Sequence, residues 1–200
     1  MSLEDSLTAI ILAAGSSSRM GMPKATLILK GYTVLELIIR LFRDAGISDI
    51  RVVTGCDRED ISPVIQELKV REIFNPRYQD GMYSSVRNGV ASCHQETAGF
   101  FIHPVDIPLI RSDTIKTLSS CLTRGGRQII CPVYQGRRGH PMLISASFRT
   151  AIIRSDRPGG LRVLLYEYTD AIVPVQVNDS GILFNMNTPE EYQEALMRIR

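Results

Sequence analysis

The chain has 200 residues, 44% hydrophobic and 22% charged, which suffices for one sizeable core and is ordinary for a globular domain. Its net charge of only +2 argues against broad binding to nucleic acid or anionic membranes and leaves room for a small anionic ligand in a local basic pocket. The apolar run Leu7 to Ala14 is too short to span a bilayer and lacks the flanks of a signal peptide, so the expected location is cytoplasmic.

In chain order, short β-rich runs alternate with amphipathic segments. The runs are Thr8 to Ala13, Ile50 to Thr54, Arg71 to Phe74, Gly99 to Val105, Gln128 to Val133 and Ala171 to Val177. That rhythm predicts an α/β fold with a mainly parallel sheet and helical crossovers. After the first strand, Thr33 and Glu36 make a Thr-x-x-Glu capping box. Val34, Leu37, Ile38 and Leu41 follow at helical spacing, and Gly46 suits the C-terminal cap. At the chain's end Thr188, Pro189 and Glu191 form a second box, so the last helix should start near Pro189. No repeat or low-complexity tract interrupts the pattern. The expected organisation is a single domain over residues 7–200 with a flexible N-terminus at 1–6.

Cys56, Cys93, Cys121 and Cys131 never form a Cys-x-x-Cys pair, and His94, His103 and His140 show no metal-type spacing; reduced thiols are expected.

The first strand runs into Ala14-Gly15-Ser16-Ser17-Ser18, small residues that let backbone N–H groups approach phosphate oxygens, with Arg19 and Lys24 adding positive charge. A Ser/Gly turn after a strand is also common with no such role. A Walker A loop would need Gly-Lys at positions 20 and 21, where Met20 and Gly21 stand, and the Gly-x-Gly-x-x-Gly dinucleotide fingerprint is absent. Leu12, Ala13, Ala14 and Gly15, then Arg19-Met20-Gly21 and Lys24, resemble the signature of NTP-dependent nucleotidyltransferases.

Four further segments extend the likeness. Gly81 to Gly89, with Ser84, Ser85 and Arg87, resembles the Gly-x-x-Ser-Ser-Leu-Arg-x-Gly segment of molybdenum-cofactor cytidylyltransferases in the MobA-like group. Either serine could cap a helix beginning near Tyr83 or bond a base or ribose. Asp106, in His103 to Leu109, stands where open α/β sheets keep their ligand crevice and could hold Mg²⁺, or serve as a turn residue. The resembling family carries Gly or Ala before this aspartate, where Val105 stands here. Gly136 to Leu143 is similar to the family's Gly-His-Pro element on the acceptor side. There Arg137 and Arg138 could meet an acceptor phosphate or be solvated hairpin arginines, and His140 could orient the acceptor. Phe184 to Glu191 looks like the family's closing segment. Asn185 or Asn187 could supply a second, neutral metal ligand where cytidylyltransferases often have aspartates, or Asn185 could simply satisfy backbone groups.

The resemblance, running from about Thr8 to Arg200, implies a doubly wound, Rossmann-like fold of the nucleotide-diphospho-sugar transferase type. It implies a Mg²⁺-dependent enzyme moving CMP from CTP to the terminal phosphate of a molybdopterin-type acceptor, with a molybdoenzyme as the eventual recipient. By that resemblance Leu12, Ala13, Ala14, Gly15, Ser84, Ser85 and Arg87 face the nucleotide. Arg19 and Lys24 neutralise pyrophosphate, Asp106 with Asn185 or Asn187 holds the metal, and Arg137, Arg138 and His140 meet the acceptor. CTP is preferred because guanylyltransferases tend to carry a second glycine at Ala14. GTP, a sugar-phosphate acceptor, or a binding module without turnover are the alternatives.

Overall fold

The computed structural model describes residues 6–15, 21–155 and 160–199. Strand β1 (Leu7–Ala13) is buried along its whole length, which requires cover on both faces of the sheet. Alternate residues feed two cores. Leu7, Ala9, Ile11 and Ala13 join one, and Ile10, Leu12 and Ala14 join the other.

The first core is closed by α1 (Val34–Asp44), α2 (Arg58–Glu67), α4 (Ser112–Ser120) and α7 (Pro189–Arg198). The second is closed by α3 (Met82–Ser92), α5 (Arg149–Arg154) and α6 (Leu161–Glu167). This two-sided cover is the doubly wound arrangement expected of the sequence.

The remaining strands are β2 (Ile28–Leu29), β3 (Tyr32–Thr33), β4 (Asp49–Thr54), β5 (Arg71–Phe74), β6 (Gly99–Pro104), β7 (Ile129–Tyr134), β8 (Arg137–Arg138), β9 (Met142–Ser145) and β10 (Ile172–Gln176). β2 and β3 pair as a small separate hairpin. The main sheet runs β10-β7-β9-β6-β1-β4-β5, with β8 pairing β7 at its end.

Where the six expected strands pair with one another, they run parallel. The antiparallel strands that make the sheet mixed are β8, paired to β7, and β9, which lies between β6 and β7. The four residues of β9, Met-Leu-Ile-Ser, are too short a run to show a period on their own.

Strand order reverses at β1, with β4 and β5 on one side and β6 on the other. Register pairs Ala13 with Thr54 and Leu12 with Pro104, so the three C-terminal ends finish level and open a crevice at the switch point. Among the described residues no helix is long and apolar enough to cross a membrane. The four cysteines are free.

Both capping boxes form, one of them halfway. Thr33 Oγ1 accepts from Glu36 N at 3.1 Å, but the Glu36 carboxylate turns to Arg40 rather than back to the cap. Thr188 and Glu191 bond reciprocally, and α7 starts at Pro189 as expected.

Candidate active site

The crevice holds a cavity of about 220 Å³ walled by Leu12, Ala13, Ala14 and Gly15 from the end of β1, Lys24, and Asp106 beyond β6. Val105 N donates to Leu12 O at 3.1 Å, so the β6 chain stays tied to β1 as far as the residue before Asp106. On the opposite side Cys56 N donates to Ala14 O at 3.4 Å, tying in the end of β4.

Lys24 lies in a short 3₁₀ turn, Lys24–Thr26, and reaches the switch point with its ammonium. Nζ lies 3.5 Å from Asp106 Oδ2 and donates to Asn187 Oδ1 at 2.6 Å. A carboxylate and a carboxamide oxygen, 81 positions apart in the chain, therefore converge on one cation. Asn187 is held there by its neighbours. Met186 N donates to Asp106 O at 2.8 Å, and the Glu191 carboxylate that completes the α7 box also accepts from Asn187 N at 2.5 Å. The box that starts the last helix thus also positions a site residue. Asn185 is exposed and its amide donates to Leu183 O, so only Asn187 reaches Asp106 through Lys24.

These hard oxygen donors fit Mg²⁺, which is held by one or two protein groups together with substrate phosphates. Among the described residues no three His, Cys, Asp or Glu side chains cluster to hold a metal.

The segment Gly81 to Gly89, expected to face the nucleotide, starts its helix near Tyr83 as expected but without a serine cap. Helix α3 begins at Met82 behind Gly81, whose φ of 92° no side-chain-bearing residue adopts readily, and neither serine caps it. The serines instead bond the buried carboxamide of Asn75. Asn75 Oδ1 accepts from Arg77 N (3.0 Å) and Asn88 Nδ2 (2.9 Å), and Nδ2 donates to Ser84 Oγ (2.7 Å) and Ser85 Oγ (3.0 Å). Ser84 passes its own proton to Arg77 O or Gly81 O, both at 2.8 Å. Ser84 therefore anchors the turn. Ser85 lines the cavity and has already accepted from Asn75, so its hydroxyl is left to act as a donor. Arg87, on the same helix, is half-buried and does not line the cavity.

In the segment expected to meet an acceptor, Gln135 and Gly136 form the turn between β7 and β8, and Arg137 and Arg138 are exposed on the short strand. Gly139 serves close approach rather than a turn, because a Cβ there would overlap the carbonyl of Ile182. His140 follows, its N donating to Ile182 O at 3.0 Å. Its Nδ1 is buried without a partner among the described residues. Burial lowers its pKa, opposed by the Asp106 carboxylate, so the ring is neutral near pH 7, and His140 does not line the cavity. Arg19, with Ser16 to Met20, lies outside the described residues.

Beside Met82, which falls in the Gly81 to Gly89 segment, the far wall is formed by Asp57, Ile61 and Tyr78, which sequence reading missed. These residues come from a helix start and a loop whose local patterns carry no signal for a ligand.

Fold and crevice together are those of a doubly wound α/β protein with a ligand site at its switch point, and similarity to known proteins narrows this to the NTP transferases. Residues 9–172 match the MobA-like NTP transferase domain, and the chain belongs to that family. It is 30% identical to a probable molybdenum cofactor guanylyltransferase of Bacillus cytotoxicus, over 96% of both chains. It is 27% identical to the molybdenum cofactor cytidylyltransferase of Escherichia coli K12, over 94% of this chain and 95% of that one. A solved nucleotidyl transferase from Methanothermobacter thermautotroptrophicus superposes with a TM-score of 0.83 at 20% identity, covering 96% of this chain and 97% of the other. That likeness concerns the fold alone.

Proposed function

We propose that this protein transfers CMP from CTP to the terminal phosphate of a molybdopterin-type acceptor, releasing pyrophosphate, and that a molybdoenzyme receives the product. The observation that carries the reading is the convergence of Asp106 and Asn187 oxygens on one cation at the edge of a cavity walled by Ala13, Ala14 and Gly15. The whole of residues 7–200 acts as the functional unit, since Asn187, near the C-terminal end, completes the site built by β1 and β6.

The attacking phosphate is already anionic, so the reaction needs alignment and charge screening rather than a general base. Gly15 and the adjoining amides cradle phosphate oxygens, and Lys24 with Arg19 neutralises the departing pyrophosphate. Asp106 and Asn187 would hold Mg²⁺, which when bound supplies neutralisation of charge on the phosphate oxygens. The neutral His140 ring orients the acceptor, and Arg137 and Arg138 attract its phosphate.

The choice of CTP rests on Ala14, whose methyl abuts Gly55 and leaves less room than a glycine would against a purine. GTP is the second reading, favoured by the name of the Bacillus relative. The test supplies purified protein with Mg²⁺, molybdopterin and each of CTP, GTP, ATP and UTP in turn, and measures pyrophosphate and the nucleotide-linked product. CTP should give product; absence of product with every NTP would contradict the enzyme reading.

A further inference from the structure

Asp57 is a carboxylate in the cavity wall that the reaction outlined above does not use. It stands where β4 gives way to α2, in the N-cap position, yet it makes no side-chain cap bond. An aspartate in that place ordinarily accepts a first-turn amide. It interacts with the Cys56 thiol, which is raised above its ordinary pKa by desolvation and by the Asp57 charge and so remains a neutral, weak donor. The carboxylate thus keeps most of its accepting capacity toward the cavity.

Charge decides what can lie against it. A carboxylate repels a triphosphate, and the sheet order separates the two ends of the crevice. Asp57 follows β4, Asp106 follows β6, and β1 runs between. Two strand spacings amount to about 10 Å. The phosphates belong with Lys24 and Asp106, which leaves an uncharged, donor-bearing part of the nucleotide for Asp57. Ser85 lines the same cavity and is left as a donor by its bond from Asn75. Asp57 precedes α2 and Ser85 lies in α3, helices that cover opposite faces of the sheet, so an acceptor and a donor line the cavity from two sides and match a base that carries both an amino group and an acceptor. Cytosine offers N4–H₂ next to N3 and O2, whereas uracil sets its O4 acceptor against the carboxylate.

We propose that Asp57 is the residue that reads the base, accepting from the N4 amino group of cytosine and rejecting uracil. The assignment rests on the CTP reading above. The experiment measures CTP, UTP and GTP binding to the full chain with Mg²⁺ by calorimetry, for the native protein, Asp57→Asn and Asp57→Ala. The native protein should favour CTP over UTP by about tenfold or more. Asp57→Asn, whose amide can turn N–H₂ toward O4, should lose that preference mainly by gaining UTP, and Asp57→Ala should weaken CTP without gaining UTP. An unchanged CTP-to-UTP ratio in both variants, or equal weakening of both nucleotides, would overturn the assignment and give Asp57 to the ribose or to the loop. A native preference for GTP over CTP would instead overturn the CTP reading, leaving Asp57 to be judged on the CTP-to-UTP ratio.

Discussion

Asp106 and His103 are three residues apart around the end of β6 and meet opposite fates. The Asp106 side chain turns into the crevice toward Lys24, and its loss should remove turnover while the fold persists. Asp106→Asn is expected to lower kcat by about 10²-fold or more. Circular dichroism and the melting temperature should stay near the native values; retained turnover would remove Asp106 from the metal role. His103 points into the core, with its ring edge-on to Phe42 at 5.7 Å and neither ring nitrogen partnered among the described residues. Burial first, and then the neighbouring His140, push its pKa down to about 3. The unfolded chain binds that proton from about pH 6.5 downward and the native chain does not, so stability is complete above that pH and falls as the solution is acidified toward 3. His103→Phe should flatten this dependence. The melting temperature of the native protein should drop more steeply between pH 7 and 5 than that of the variant, and parallel curves would contradict the account.

Among the elements, α7 shows how a structural motif becomes part of a site. Thr188 and Glu191 were legible as a capping box because helix starts need acceptors for free amides. That the same Glu191 carboxylate also takes the Asn187 amide was not legible, since it depends on how the chain approaches the cap. Thr188→Ala should cost about 1 kcal/mol of stability, read from denaturant unfolding. Glu191→Ala should add a loss of kcat by freeing Asn187, and unchanged kcat would show that the box is structural only. Gly139→Ala tests the acceptor side. Its methyl would overlap Ile182 O, so a loss of about 1–3 kcal/mol is expected, and a neutral result would show that the two segments can part. The Ser84-Ser85 pair was legible as a segment but not residue by residue. Which serine anchors the turn and which faces the cavity is decided by Asn75, nine and ten positions earlier. β9 escaped for a similar reason, because a four-residue strand is specified by the neighbours it pairs with.

At the scale of the whole molecule, the reversal of strand order at β1 brings together residues from the first loop, from Asp106 and from Asn187. The alternation of strands and amphipathic helices made this architecture readable, and the order of the five segments indicated the family to which the chain belongs. The far wall of the cavity was not readable, because Asp57 and Tyr78 meet only when β4 and α3 pack beside β1. The central claim is that the crevice transfers a nucleotide, and single-turnover assay with molybdopterin, Mg²⁺ and α-³²P-labelled CTP tests it most directly. The account predicts label in a cytidylylated product with stoichiometric pyrophosphate, lost in Asp106→Asn. Label that stays in CTP, with GTP, ATP and UTP equally inert, would contradict it.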